Sequence, residues 1–405
     1  MTSSSFIFFD TNKKDSLNKD SYLLQSPEKV IESRKKEDFF LKVRDIEKEI
    51  TRGKVAAGFF SYEAFAPSIK DNSKENDFPL LRFAIFPELN KISEENKIKI
   101  LSGQRLSSSQ PNSHKATNFR YELEGQEFAK AFNKIKEKIR QGETFETNFT
   151  FKCFFELLGD PLDFYLKLRS RQKVAYSSFL SFPDFSVLSF SPELFFRIRQ
   201  GKITMKPMKG TIKRGNNVFS DLFNYLRLKN SRKNRAENSM IVDLVRNDLG
   251  RISQLGSVKT KKLFSLEKLE TLWQMTSEVQ AELRKNLPLE EILKAIFPCG
   301  SITGAPKIRT MEIISQLEKT PRKVYCGAIG FFSQSESCFS VPIRTVLLSQ
   351  DESRGKEMNQ FQGEMGIGSG IVADSDLSQE YEECILKSKF IFWVNSSDSS
   401  RFACL

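Results

Sequence analysis

The sequence is poorest in the residues that His-centred catalysis and metal cages need. His114 is the only histidine in 405 residues, and it stands in the polar stretch SSSQPNSHKATN. The six cysteines are scattered without a C-x-x-C pair: Cys153, Cys299, Cys326, Cys338, Cys384 and Cys404. These absences argue against a His-based triad, a His-ligated metal, a zinc cage and a disulfide framework. We therefore expect chemistry that uses carboxylates, lysines or backbone groups.

Long apolar runs are also missing. No segment approaches the roughly 20 apolar residues of a membrane helix. The amino-terminal stretch MTSSSFIFFDTNKKD contains four successive apolar residues and no basic segment before them. A signal peptide is therefore not expected, and the scattered cysteines favour a reducing, cytoplasmic location.

Positive charge and phenylalanine are abundant. Lys and Arg number 63 against 51 Asp and Glu, which gives a formal charge of +12, and 37 Phe accompany only 2 Trp. The positive charge favours an anionic partner, from a small carboxylate to a nucleic acid. Basic and acidic residues alternate along the chain, and no zinc finger, helix-turn-helix or RNA motif is present. A nucleic-acid-binding module is therefore the weaker alternative.

The order of local patterns predicts an α+β architecture, because runs of strands and runs of helices follow one another without βαβ alternation. The polar segment 102–118 is expected to link an amino-terminal part, 1–101, to a catalytic part, 119–392, with a tail at 393–405. EFAKAFNKIKEKIRQGE predicts an amphipathic helix that stops at Gly142. FFRIRQGKITMKPM predicts a hairpin that turns at residues 200–202.

The stretch MKPMKGT places a lysine on an apolar strand face. Ile203, Met205 and Lys209 share parity, so Lys209 projects on the side that the other two make apolar. One interpretation is that Pro207 interrupts the alternation and Lys209 is solvated. The other is that burial lowers the pKa of Lys209 and leaves a free amine able to attack carbon.

Three carboxylates are candidates for a metal site. The helix pattern RAENSMIVDLVRND puts Glu237 on its apolar stripe, where an uncompensated charge is costly. On the last predicted helix, Glu380, Glu383 and Lys387 form one line, which is alternatively an ordinary solvated face with a Glu383–Lys387 pair. If the two helices face each other, the carboxylates converge, and oxygen ligands of this kind suit Mg²⁺.

Two segments could hold an anion with backbone amides. In GSITGAPKIRTMEII, Pro306 fits the first turn of a helix whose N–H groups would face a pocket. GEMGIGSGIVADSD is predicted to be a glycine-rich loop in which Gly366, Gly368 and Gly370 let main-chain amides approach a carboxylate. Neither segment has the G-K-[ST] ending of a phosphate P-loop.

Eight segments, in order over residues 122–390, resemble the chorismate-utilising enzymes, and within that family the component I subunits of aminodeoxychorismate synthase. They are GETFETNFT, SFSPELFF, MKPMKGT, RAENSMIVDLVRNDLGRI, PCGSITGAPKIRTMEII, YCGAIGFF, VPIRT and GSGIVADSDLSQEYEECILKSK. The resemblance implies a fold of large antiparallel sheets packed as a sandwich with helices outside.

The resemblance also implies a reaction. Lys209 would attack C2 of chorismate while Glu193, in SPE, protonates the departing C4 hydroxyl as general acid. Ammonia from a separate glutamine amidotransferase subunit, component II, would then add at C4 and give 4-amino-4-deoxychorismate. A separate pyridoxal-phosphate lyase would convert this product to 4-aminobenzoate for folate biosynthesis.

Binding roles follow from the same resemblance. Glu237, Glu380 and Glu383 would hold Mg²⁺, which anchors the ring carboxylate of chorismate. The remaining substrate contacts are expected from eight residues: Tyr325, Arg344, Ser301, Thr303, Lys307, Ser369, Gly370 and Lys387.

Departures from the family pattern separate the alternatives. Anthranilate synthases typically have alanine at the position of Lys209, and isochorismate or salicylate synthases typically have lysine at the position of Glu146. Glu146 replaces a more usual glutamine, and Asn234 replaces a more usual aspartate. Trp273 is aligned with a histidine that lies near C4 of the ring in many relatives.

Overall fold

The computed structural model describes residues 5–67, 78–97, 115–269, 272–350 and 360–392. His114, Cys404, the tail 393–405 and most of the predicted linker lie outside these ranges. The described part is built on two ten-stranded antiparallel sheets. None of its helices has the length and apolar character needed to traverse a bilayer. All five cysteines that the structure describes are free thiols.

The first sheet contributes one wall of a cavity in the molecule. With strands numbered in chain order, its spatial order is β16 (Gly304–Ala305), β8 (Glu146–Leu158), β20 (Gln360–Val372), β19 (Thr345–Gln350), β10 (Phe185–Ser191), β9 (Tyr176–Ser181), β1 (Phe6–Asp10), β2 (Ser21–Gln25) and β6 (Lys91–Ile92), with β7 (Lys115–Tyr121) also paired to β8.

The second sheet carries the opposite wall. Its spatial order is β13 (Met208–Lys213), β15 (Leu272–Glu282), β12 (Lys202–Met205), β11 (Leu194–Arg199), β18 (Glu336–Ser340), β17 (Ala328–Phe332), β4 (Val55–Phe60), β5 (Leu81–Phe86) and β3 (Lys29–Ser33), with β14 (Lys259–Lys268) also paired to β15.

Helices cover the outer faces of both sheets. In chain order they are α1 (Lys36–Thr51), α2 (Gly125–Arg140), α3 (Pro161–Arg171), α4 (Val218–Lys229), α5 (Arg232–Gly250), α6 (Leu289–Ile296), α7 (Lys307–Leu317) and α8 (Leu377–Phe392). Helices α1, α5 and α6 share a core with the second sheet, and α2, α3 and α8 share one with the first.

A third core lies between the sheets and makes them a sandwich. Ile7 and Leu180 come from the first sheet, and Phe59 and Ile329 come from the second. The ring of Phe59 packs edge-on against Phe185 with centroids 5.9 Å apart. The predicted sandwich with helices outside is therefore confirmed.

The amino-terminal part supplies strands to both sheets. Strand β1 pairs with β9 in the first sheet, and β4 pairs with β17 in the second. The predicted linker begins to be described only at residue 115, where β7 starts. The division of the chain into domains at residues 101 and 118 stays a prediction.

The hairpin that leads to the cavity forms where it was predicted. Strands β11 and β12 pair Arg199 with Lys202, and Gln200 and Gly201 turn with φ of 51° and 72°. Two successive positive φ values give the tight turn whose twist matches the flanking strands. The chain then passes Pro207 and re-enters the sheet as β13.

Candidate active site

A cavity of about 590 Å³ lies between the glycine-rich half of β20, strand β13 and helices α5 and α8. Most residues singled out in the sequence meet there. Those that line the cavity are Glu193, Lys209, Glu237, Ser301, Tyr325, Arg344, Gly366, Gly368, Gly370, Glu380, Glu383 and Lys387. A cavity of this size with convergent charged groups is the expected form of a small-molecule site.

Lys209 enters the cavity because the backbone leaves the strand ladder there. The pairing of β13 with β15 shifts register between Met208 and Thr211, and Gly210 has a φ of 89°. A Cβ at Gly210 would also come within 2.8 Å of the Asn234 side chain, so glycine is required twice over. The Lys209 side chain is 17% exposed and lines the cavity, so the solvated interpretation is wrong.

The amine of Lys209 is not neutral in this state, contrary to the sequence-based expectation. Burial disfavours the charged form of Lys209, but the negative charges of Glu146, Glu237 and Glu193 outweigh that effect. Nζ also donates a hydrogen bond to Glu146. The pKa of Lys209 is therefore raised. Glu146 lies on β8 and is 1% exposed. Its second oxygen, Oε2, is buried without a hydrogen-bond partner among the described residues.

Glu193 has the environment of a proton donor. It sits between β10 and β11, where the chain crosses from one sheet to the other. Burial raises its pKa to about 7, and a hydrogen bond donated by Ser301 Oγ at 2.7 Å and the charge of Lys209 only partly oppose that rise. A buried carboxyl with a pKa near neutrality holds a proton that it can give to a leaving group.

Arg344 brings an uncompensated positive charge to the cavity wall. Its φ is 53°, and its Nη1 donates to Gln172 Oε1 at 3.1 Å. Within the described ranges no carboxylate pairs with it, and burial lowers the pKa of its guanidinium. A buried arginine fork of this kind is suited to a carboxylate from outside the chain.

The segment with Gly366, Gly368 and Gly370 is a strand rather than the predicted loop. Strand β8 pairs with the whole of β20, whereas β19 pairs only as far as Met365. The other edge of residues 366–372 therefore has no partner strand in the described structure. A Cβ at Gly366 would lie 2.1 Å from the ring of Tyr325, so glycine lets that ring pack against the strand.

The three candidate metal ligands line one cavity without forming a closed cage. Glu237 carries a pKa raised by burial, and no described side chain donates a hydrogen bond to it. Glu380 accepts from Ser375 Oγ at 2.7 Å, and Glu383 pairs with Lys387 at 2.6 Å. Over the described ranges, no three His, Cys, Asp or Glu side chains stand close enough together to hold a metal. The donor type fits Mg²⁺, and the half-buried Glu237, which accepts no hydrogen bond from a described side chain, is the ligand with most to gain.

Comparison with known proteins decides the family. The family model described as "chorismate binding enzyme" matches residues 4–392. The chain belongs to the chorismate-binding enzyme family. It is 41% identical over 256 residues to the chloroplastic aminodeoxychorismate synthase of Arabidopsis thaliana, covering 62% of this chain and 27% of that protein. It is 34% identical over 299 residues to aminodeoxychorismate synthase component 1 of Bacillus subtilis, covering 74% of this chain and 62% of that protein.

A solved structure agrees with the family assignment. Anthranilate synthase component I from Streptococcus pneumoniae TIGR4 superimposes with a TM-score of 0.74 at 25% identity, covering 94% of this chain and 93% of that one. The matches to the two curated relatives span less than two thirds of each protein's length. The family is therefore established, and the activity of the chain is a separate question.

Three of the expected substrate contacts do not line the cavity of this chorismate-binding enzyme. Lys307 pairs with Asp248 and donates to the Ile296 carbonyl at 3.3 Å. Thr303 donates to the Cys299 carbonyl at 3.1 Å, and Ser369 is buried on β20 between Gly368 and Gly370. Pro306 caps α7 from outside rather than occupying its first turn, and no residue of α7 faces the cavity.

Trp273 does not line the cavity, although the family resemblance implied a residue near C4 of the ring at this position. Its neighbours on β15, Leu272 and Gln274, line the cavity, and Trp273 faces the other side, where Nε1 donates to Asp221 at 3.0 Å. Gln274 Nε2 donates to the Gly210 carbonyl at 3.0 Å, which fixes the backbone beside Lys209. Strand alternation places Trp273 and Gln274 on opposite faces but cannot tell which of the two faces the cavity. Gln274 was not predicted from the sequence for that reason.

Proposed function

We propose that this chain converts chorismate and ammonia to 4-amino-4-deoxychorismate, as component I of an aminodeoxychorismate synthase. The observation that carries the proposal is a lysine amine in the cavity wall, Lys209, together with a buried carboxyl whose pKa is about 7, Glu193. The curated relatives named above support the same activity.

The proposed chemistry consists of two allylic displacements. Lys209 Nζ, as the free amine, bonds to C2 of chorismate, the ring π electrons shift, and the C4–O bond breaks as Glu193 gives its proton to the departing hydroxyl. Water leaves. Ammonia then bonds to C4, the π electrons shift back, and the C2–N bond breaks to release Lys209. Chorismate plus ammonia thus gives 4-amino-4-deoxychorismate plus water.

Lys209 must lose a proton before the first step. Glu146 accepts a hydrogen bond from Nζ and is the base in contact with it. Proton transfer within the pair leaves a neutral amine and a neutral carboxyl, and the reverse transfer restores the pair when Lys209 departs. The unpartnered Oε2 of Glu146 gives this carboxyl a site for the proton.

Charge complementarity positions the substrate. Arg344 and the open edge of β20 would bind one carboxylate of chorismate. Glu237, Glu380 and Glu383 would hold Mg²⁺, which supplies a positive charge for the ring carboxylate. Lys387, whose Nζ also donates to the Gly368 carbonyl at 2.8 Å, keeps Glu383 and the glycine edge together.

The ammonia would come from a glutamine amidotransferase subunit, component II. The name "component 1" in the Bacillus subtilis relative supports a second subunit. A pyridoxal-phosphate lyase would act on the product to give 4-aminobenzoate.

Anthranilate synthesis is the second candidate, because a solved anthranilate synthase component I shares the fold at 25% identity. The two reactions give different products from chorismate, Mg²⁺ and an ammonium salt. We expect chorismate to be consumed without fluorescent anthranilate, and the product to yield 4-aminobenzoate after addition of a lyase. Anthranilate or salicylate in this mixture would refute the proposal.

A further inference from the structure

The guanidinium of Arg344 is held by a neutral side chain. Nη1 donates to Gln172 Oε1 at 3.1 Å, and no carboxylate of the described residues pairs with the fork. A buried cation without a counter-charge is costly to the folded state. The fold therefore keeps a positive charge that a glutamate at position 172 would neutralise.

The rest of the Arg344 fork is open to the cavity, whose wall it forms in part. Nε and Nη2 have no hydrogen-bond partner among the residues that the structure describes, yet neither is a fully buried atom. A ligand in the cavity can therefore reach them. Nε and Nη2 form the edge of the planar fork that offers two parallel N–H bonds to a carboxylate.

The backbone of Arg344 is fixed independently of its side chain. Its carbonyl accepts from the Phe190 N–H at 3.1 Å, and its φ is 53°, a conformation that a bulky residue adopts only when its surroundings impose it. Thr345 begins β19 directly afterwards, and its hydroxyl is hydrogen-bonded to that of Ser189 at 2.8 Å. The direction of the long arginine side chain then depends on the contact that its end makes, and Gln172 supplies that contact.

Gln172 is itself held in place by the end of helix α3. Its N–H donates to the Leu168 carbonyl at 3.0 Å, and its φ of −113° and ψ of 84° turn the chain out of the helix. Asn12 Nδ2 donates to the Arg169 carbonyl at 2.8 Å and ties this helix end to the segment after β1. Gln172 is 6% exposed. Because a guanidinium has only donors, the amide oxygen must be the atom that faces Arg344.

We propose that Gln172 is a positioning and specificity-determining residue: its neutral amide aims the Arg344 fork into the cavity and leaves the positive charge for a substrate carboxylate. The inference rests on the proposed function, in which Arg344 binds a carboxylate of chorismate. Glutamate has nearly the same shape and would hold the fork but neutralise it. Leucine would neither hold nor neutralise it. Gln172 acts through Arg344 and does not line the cavity.

The decisive variant is Gln172→Glu, in the full chain with Mg²⁺ present. The new carboxylate should pair with the buried charge of Arg344, so the melting temperature should rise by about 2 °C or more. The same pair competes with the substrate carboxylate, so the Kd for chorismate in calorimetry should increase by about tenfold or more. The kcat should change by less than about threefold, because Gln172 touches no reacting atom. Stability and affinity thus change in opposite directions.

A second variant and a control bracket this result. Gln172→Leu removes the acceptor of Nη1, so the melting temperature should fall while the Kd for chorismate increases by about threefold or more. Gln141→Glu is the matched control, because Gln141 follows the last residue of helix α2 as Gln172 follows that of α3, but is exposed and does not line the cavity. It adds the same charge at the same helix position and should leave chorismate binding unchanged.

Two results would overturn the inference. One is a Gln172→Glu chain that binds chorismate as tightly as the wild type. The other is a fall in melting temperature together with weaker binding in both Gln172 variants, which would assign Gln172 a purely structural role. Calorimetric binding requires no ammonia. If chorismate binds but is not aminated, the proposed function fails, and the comparison of the variants still decides the role of Gln172.

Discussion

Lys209 and Glu146 form a buried ion pair at the cavity wall, with the lysine on β13 of one sheet and the glutamate on β8 of the other. The pair joins the two halves of the sandwich at the point where substrate would bind. Gly370 leaves room for it, because a Cβ there would approach the Glu146 oxygen to 2.7 Å and the Lys209 nitrogen to 3.0 Å. The proposed nucleophile is thus held with a raised pKa, in contact with the carboxylate proposed as its base.

Replacement of Glu146 should change the pH dependence of turnover. Burial alone disfavours the charge of Lys209, and Glu146 is the largest contribution that keeps its pKa raised. In Glu146→Gln the pKa of Lys209 should fall, so the limb of the pH–rate profile on which Lys209 loses its proton should move to lower pH. The measurement is kcat/KM for chorismate against pH at constant free ammonia.

The matched control for this change is Glu267→Gln. Glu267 pairs with Lys206, a neighbouring lysine of the same hairpin, at 2.8 Å and does not line the cavity. Its profile should superimpose on that of the wild type. A Glu146→Gln profile that also superimposes would show that the ion pair does not govern the protonation of the nucleophile.

Glu193→Gln should lower turnover by about 10²-fold or more, because a general acid typically contributes at least that factor. Chorismate binding should change much less, since Glu193 would act on the leaving hydroxyl. The wild-type rate should decline above pH of about 7, where Glu193 loses its proton. Equal losses in binding and turnover would assign Glu193 a structural role instead.

Glu193 should also leave a signature in stability. Its pKa is about 7 in the folded protein against 4.5 ordinarily, so the folded state binds the proton more tightly. The contribution of Glu193 to the free energy of unfolding is fully present below pH of about 4.5. It is lost as the pH rises through about 7, and the loss amounts to roughly 3 kcal/mol. The difference in unfolding free energy between wild type and Glu193→Gln should therefore decrease over this interval. A difference that does not depend on pH would contradict the assignment.

Arg344→Lys should weaken chorismate binding by about tenfold or more, because lysine cannot reproduce the two parallel hydrogen bonds of a guanidinium. The loss should appear mainly in KM. Arg246→Lys, in an exposed pair with Asp243, is the control and should leave KM unchanged. An unaltered KM in Arg344→Lys would remove Arg344 from the substrate contacts.

The proposed Mg²⁺ site can be tested without measuring turnover. Glu237→Gln and Glu383→Gln should each reduce the rise in melting temperature that Mg²⁺ and chorismate produce together, because each removes one anionic ligand. Glu382→Gln, an exposed neighbour on α8 that does not line the cavity, should retain the full rise. Retention of the rise in both Glu237 and Glu383 variants would refute the site.

The local patterns predicted the fold elements well because they depend on nearby residues. The helix with Phe128 and Phe132 and the turn at Gln200 and Gly201 follow from periodicity and turn chemistry alone. The pairing of Lys209 with Glu146 did not follow, because the two residues are brought together only by the packing of one sheet on the other.

The errors in the site have the same physical origin. Strand parity placed Lys209 on the apolar side but could not show that a register shift turns it into a cavity. The glycines of β20 were expected to form a loop, since glycine disfavours strands, yet here they keep a strand edge open. Lys307 lies within a family motif, but its ammonium group forms an ion pair with Asp248.

The most direct test of the account is the covalent state of Lys209. After incubation with chorismate and Mg²⁺ without ammonia, followed by acid quenching, peptide mass spectrometry should find Lys209 heavier by the mass of chorismate less water. Lys209→Ala should show no adduct, should still bind chorismate, and should lose at least about 10³-fold in ammonia-dependent turnover. A Lys209→Ala enzyme that aminates chorismate at the wild-type rate, with no adduct on the wild-type lysine, would contradict the mechanism.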